Sequence, residues 1–172
     1  VRIWHWINAL GIVTLCVTGA QIRFPNYVKI FGSYKNAITL HDTAGIVVSI
    51  SFVLWLFYYL VISGSLKQQY IPTLRDIKQG VFKQVLFYGY HYFRGGPNPH
   101  HPSPDSKFNP MQKGAYLMMM LVLLPLVIVS GLLLFNVDPL RTWLMAVGGI
   151  KIVIGIHFLV ACAFCAFLFT HI

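Results

Sequence analysis

GIKIVIGIHFLVACAFCAFLFTHI, residues 149–172, is the stretch whose reading decides the fold. Between 149 and 170 its only charged residue is Lys151. Twenty-odd apolar residues in a row are enough to cross about 30 Å of hydrocarbon as an α-helix. Inside this run stand His157 and His171. Their separation of fourteen residues is a rise of about 21 Å and four turns less about 40°, so both lie on one helix face at opposite membrane depths. Ionisable groups at such depths are rare and usually functional. Working outward, three more spans of the same kind occupy 3–22, 38–62 and 114–135, and the last occupies 149–170. His5 lies near the start of the first span and His41 near the start of the second.

The whole chain has that character: 57% of its 172 residues are hydrophobic and 10% are charged, against about 25% charged in a soluble domain. No stretch is left over for a soluble domain. The expectation is an all-α membrane protein, one domain over 1–172, built as a four-transmembrane-helix bundle. The chain begins with Val1 and ends one residue past His171, and is expected to be a fragment trimmed at both ends. Between spans two and three, Leu74, Ile77, Val81, Val85 and Tyr88 recur at helical spacing with Arg75, Lys78, Gln79 and Lys83 elsewhere on the wheel. That predicts an interfacial amphipathic helix over 73–93. A proline-rich, irregular connection follows, with Pro97, Pro99, Pro102, Pro104 and Pro110. Pro125 should kink or loosen span three.

A formal charge of +9 invites a nucleic-acid reading, but the cations sit in the connections, where they fix topology and meet anionic lipid. Arg2 and the 63–113 connection hold Arg2, Lys67, Arg75, Lys78, Lys83, Arg94, Lys107 and Lys113, eight of the thirteen; Arg23, Lys29, Lys35, Arg141 and Lys151 lie on the other side. The bias puts both termini and the long connection in the cytoplasm. No nucleic acid is expected as a partner. Cys162 and Cys165 form a C-x-x-C without the following His of a covalent haem attachment, and with Cys16 they read as small packing residues.

Alternating helix direction decides which histidines can meet. His41 and His157, each near the start of a span entered from the same side, share one level; His5 and His171 share the other. An imidazole pair fills both axial positions of a haem and leaves none for oxygen, so the expected chemistry is electron transfer through two stacked haem b groups. The cofactor sites expected are therefore His5 with His171, and His41 with His157, as ligands of haem iron. Gly11, Gly19, Gly45, Gly131 and Gly155 could let flat macrocycles approach the backbone, or could serve ordinary helix packing. Asp42 reads as a helix-start acid in preference to a proton carrier, and His91, His100 and His101 as solvated residues of the connection. Two other classes compete. An intramembrane metal-dependent hydrolase or diiron oxidase would gather its ligands at one depth with carboxylates, whereas this chain has no Glu. An ion pathway would want broken helices or midplane charges, and only Pro125 offers that.

Several stretches are similar to a known family: RIWHWINAL at 2–10, TGAQI at 18–22, LHDTAG at 40–45, YIP at 70–72, KFNPMQK at 107–113 and SGLLL at 130–134. The chain resembles the bacterial membrane cytochrome b subunits of thiosulfate reductase type, related to the formate dehydrogenase gamma subunit and the nickel-iron hydrogenase cytochrome b. The resemblance implies a subunit of the bacterial inner membrane whose own chemistry is limited to quinone or menaquinone redox. It implies a quinone site beside the cytoplasmic haem at Asn109, with Gln112 and Lys113 as neighbours. It also implies a periplasmic redox partner, either an iron–sulfur and molybdenum enzyme or a multihaem cytochrome c. Asn109 also reads as a helix cap ahead of Pro110.

Overall fold

The structure, a computed structural model, describes residues 2–103 and 106–171, without the side chains of Arg2 and His171. Its elements are helical. Four helices are long and apolar enough to cross a membrane: Ile3–Arg23, Tyr34–Ile62, Pro110–Phe135 and Ile150–Thr170. The protein is an all-α membrane bundle, and its surface has the inverted character such bundles need. Leu10, Val53, Leu54, Ile152 and Leu159 are exposed, while Asn8, Thr18, Gln21, Ser51 and Ser130 are buried. Lipid replaces water outside, so polar groups must find partners inside.

In chain order, α1 spans Arg2–Arg23 and α2 spans Tyr34–Phe57, which continues as a π-helical turn to Ile62. Helix α2 begins four residues before its apolar run. Ser33 allows this, its hydroxyl accepting the N–H of Asn36 at 3.1 Å in N-cap fashion. Asp42 is thereby more than two turns inside the helix and is not a helix-start acid. Helix α3 is short, Leu66–Tyr70, and α4 is Val81–Leu86, flanked by π-helical turns at Asp76–Gly80 and Phe87–His91. Helix α5, Pro110–Leu117, passes through a π-helical stretch, Met118–Leu123, into α6, Leu124–Phe135. Pro125 explains that stretch: it gives no N–H to the preceding turn and its ring crowds it, so the backbone ahead of it widens. A short α7, Arg141–Ala146, lies in the connection after α6, and α8 is Ile150–His171.

The chain divides into two compact units. The first comprises the residues up to Trp55 and those from Pro125 onward. Trp4 stacks on Trp55 with centroids 6.2 Å apart, and donates its indole N–H to the Ser51 carbonyl at 3.3 Å. Asn8 donates to the Ser51 hydroxyl at 2.7 Å. At the other end of α1, Gln21 accepts the N–H of Phe31 at 2.9 Å and so ties the 24–33 loop to the helix.

The second unit, Leu56–Leu124, contains the predicted helix between spans two and three. Residues 74–94 are helical. The stripe of Leu74, Ile77 and Val85 is exposed, available to lipid, whereas Gln84 and Phe87 turn inward. Gln84 donates to Asn98 at 3.3 Å, and Asp76 pairs with Lys113 at 3.4 Å. Asp76, Gln84 and Phe87 therefore hold this helix to its unit, while Leu74, Ile77 and Val85 stay outside. Burial alone would raise the pKa of Asp76. The backbone N–H and hydroxyl of Thr73, together with the Lys113 ammonium, outweigh it and hold the carboxyl below its ordinary value.

Candidate functional site

His41 lies two turns into α2 and His157 two turns into α8. Their rings face each other with centroids 6.2 Å apart and planes inclined by 67°. Each ring is held from behind by a hydroxyl on a helix that supplies no histidine at this level. Thr18 on α1 lies 2.9 Å from His41 Nδ1, and Ser130 on α6 lies 2.9 Å from His157 Nδ1.

Those hydroxyls bear on the tautomer of each ring. Thr18 Oγ1 donates its one proton to the Thr14 carbonyl at 2.7 Å, and Ser130 Oγ donates to the Leu126 carbonyl at 2.8 Å. A hydroxyl whose proton is so committed can only accept from the imidazole. With the hydroxyl protons on those carbonyls, Nδ1 would carry the imidazole proton and Nε2 the lone pair, the form in which imidazole binds a metal.

The residue after each hydroxyl is a glycine, Gly19 or Gly131. A Cβ there would stand 3.4 Å from His41 Cε1 or 3.3 Å from His157 Cε1. The two halves thus repeat one arrangement: hydroxyl and glycine near the end of one helix, imidazole near the start of the next. Of the other glycines considered for macrocycle approach, Gly11 serves helix packing, since a Cβ would meet Val48 Cγ2 at 2.6 Å. Gly45 has an ordinary contact with Leu15, and Gly155 faces open space.

A first-row metal binds an imidazole nitrogen at about 2.0 Å, so two imidazoles on opposite faces of one metal have ring centroids about 6 Å apart. At the observed 6.2 Å, His41 and His157 would be able to hold a haem iron between them, which would supply one-electron redox chemistry. Beside them, the Arg23 guanidinium lies 5.3 Å from the centre of the Phe24 ring and 5.5 Å from that of Phe158.

His5 is an exposed residue of α1 beside Trp6, centroids 5.8 Å apart. The side chain of His171 is outside the described residues. Asn109 belongs to the second unit and is 4% exposed. It caps α5 through a capping box: its Oδ1 accepts the N–H of Gln112 at 2.8 Å, and Gln112 Oε1 accepts the N–H of Asn109 at 3.1 Å. Its Nδ2 donates to the Tyr88 hydroxyl at 3.3 Å. Lys113 is engaged with Asp76, and Gln112 with the cap.

Among the described residues, no three His, Cys, Asp or Glu side chains gather as a metal site, so nothing here favours the hydrolase or diiron reading. Thr18 and Ser130 were not singled out in the sequence. Their signal was a Thr-Gly and a Ser-Gly at the membrane depth of His41 and His157.

The prokaryotic cytochrome b561 family matches the chain over residues 1–172. The chain is 30% identical over 182 aligned positions to "Putative cytochrome YdhU" of Escherichia coli (strain K12), covering all of this chain and 64% of that protein. It is 36% identical over 66 positions to the "Probable Ni/Fe-hydrogenase B-type cytochrome subunit" of Rhodobacter capsulatus, covering 33% of this chain and 25% of that protein. The chain thus spans less than two thirds of the length of either relative. No solved structure matches it. With four apolar spans and a facing imidazole pair already in place, the match over the full chain makes this protein a member of the prokaryotic cytochrome b561 family, a b-type multi-pass membrane cytochrome.

Proposed function

We propose that the chain is a dihaem electron-transfer subunit that carries electrons across the bacterial inner membrane between a quinone or menaquinone pool and a periplasmic redox enzyme. The observation that carries this reading is the pair of His41 and His157, with ring centroids 6.2 Å apart and a hydroxyl 2.9 Å from each Nδ1. These two residues hold one haem b, and His5 with His171 holds the second. A six-coordinate haem supplies one-electron transfer with no open position for substrate. The protein's part is to fix the imidazoles and exclude water and competing ligands. The lipid-facing apolar surface and buried hydroxyls support that role.

The Lys/Arg bias supports cytoplasmic termini and a cytoplasmic 63–113 connection. Asn109, with Tyr88 and Gln112 around it, is proposed as the quinone contact. Its amide N–H group can donate to a quinone carbonyl while its oxygen caps α5. The printed name of the Rhodobacter capsulatus relative supports a redox-enzyme partner. The motifs at 2–10, 40–45 and 107–113 favour a complex of the thiosulfate reductase or formate dehydrogenase kind, with an iron–sulfur and molybdenum partner or a multihaem cytochrome c.

A pyridine haemochrome assay on the purified protein tests the reading. Two haem b per chain are expected. His41→Ala and His157→Ala should remove the same redox component, and His5→Ala and His171→Ala the other. One haem or none, or loss of one shared component in all four variants, would refute it.

A further inference from the structure

We infer that Thr18 and Ser130 are positioning residues that set the reduction potential of the haem held by His41 and His157, acting from opposite faces as a matched pair. The inference rests on those histidines being the ligands. It goes further in assigning work to α1 and α6 at a level where neither supplies a ligand.

The geometry is the same on both sides. Each hydroxyl stands 2.9 Å from a ligand Nδ1 and sends its own proton to a backbone carbonyl one turn back. Thr18 is fully buried and Ser130 is 4% exposed, so water does not replace either acceptor. The glycine after each hydroxyl lies against the imidazole, a Cβ there standing 3.4 Å from His41 Cε1 or 3.3 Å from His157 Cε1. Ordinary helix packing asks for small residues, but it does not ask for two hydroxyls at equal distances from two ring nitrogens.

The consequence follows from charge. Ferric iron draws electron density from the imidazole, and the Nδ1–H becomes a stronger donor. An oxygen lone pair facing that N–H stabilises the oxidised state more than the reduced one and raises ligand basicity. Removing the hydroxyl leaves that N–H only the backbone carbonyl beside it, Leu15 for His41 and Val127 for His157, and the loss of one of two acceptors disfavours the ferric form. Each hydroxyl therefore holds the potential down, and two act on one iron.

The test is a redox titration with optical and electron paramagnetic readouts on Thr18→Val, Ser130→Ala, the double variant, and the conservative Thr18→Ser and Ser130→Thr. Loss of one neutral hydrogen bond to the oxidised form should change the ferric/ferrous equilibrium about fivefold. At 59 mV per tenfold for one electron, that is about 40 mV upward per hydroxyl. The double variant should move further in the same direction, the conservative variants should return towards the parent, and the haem of His5 and His171 should stay in place. If Thr18→Val loses the haem while Thr18→Ser keeps it at the parent potential, the hydroxyl is still the cause. An unchanged potential with the haem retained overturns the inference, as does loss of the haem in Thr18→Ser as well as Thr18→Val. A parent-like spectrum in His41→Ala would mean instead that the ligand assignment has failed.

Discussion

Asn109→Asp and Asn109→Leu separate two roles that one side chain holds at once. Asn109 is 4% exposed, and its oxygen accepts the Gln112 N–H at 2.8 Å while its amide nitrogen donates to Tyr88 at 3.3 Å. Replacement by Leu removes both. Loss of an N-cap costs about 1 kcal/mol, and the Gln112 N–H left without its partner in a buried position costs about 1–3 kcal/mol as an alternative measure of the same loss. Replacement by Asp keeps the acceptor and adds a negative charge at the N-terminus of α5, which the helix dipole favours by about 0.3–1 kcal/mol. It removes only the N–H donor, whose bond to Tyr88 is long. The Asp variant keeps the cap, and the dipole offsets part of the cost of burying its carboxylate, so it should lose less than the Leu variant, which should lose about 1–3 kcal/mol. Stopped-flow reduction of the haems by a quinol, with haem content and thermal unfolding measured on the same samples, reads both effects. The expected result is full haem content in both variants and quinol-linked reduction lost in both, with Leu the less stable of the two. Parent quinol kinetics in Asn109→Asp would show that the amide donor plays no part with quinone and that Asn109 only caps its helix.

Three other perturbations bear on the structure. Gly11→Ala places a Cβ 2.6 Å from Val48 Cγ2, on a side chain only 2% exposed; it should destabilise the haem-loaded protein by about 1–3 kcal/mol in thermal unfolding, whereas Gly155→Ala meets nothing within 4 Å and should stay within about 1 kcal/mol. Equal losses in the two would remove the packing argument. Asp76 has a depressed folded pKa, so its contribution to stability is complete above its ordinary value of 3.8 and fades as pH falls below it. Asp76→Asn should accordingly be less stable than the parent near neutrality, with the gap closing in acid, and a gap that widened in acid would contradict the ion pair with Lys113. Ser103→Cys should resist an impermeant thiol reagent in intact cells and react in inverted vesicles; strong labelling from outside would reverse the topology.

The spans, their number and the shared level of His41 and His157 were legible in the sequence because each rests on local physics. A residue run either is or is not apolar enough to sit in lipid, and a helix of known rise puts a residue at a known depth. His41 could thus be matched to His157 by counting. Helix ends were less legible, because a cap decides them and not hydropathy: Ser33 starts α2 early and places Asp42 inside it. Apolar residues at helical spacing along 73–93 predicted an amphipathic helix, but not which residues would turn inward. That was decided by partners distant in the chain, Asn98 for Gln84 and Lys113 for Asp76. The hydroxyls behind the imidazoles belong to the same class. Thr18 and His41 are 23 residues apart, and Ser130 and His157 are 27 apart. Composition and periodicity locate a polar residue within a span, but a hydrogen bond at 2.9 Å depends on how two helices are rotated against each other, and only their packing sets that rotation.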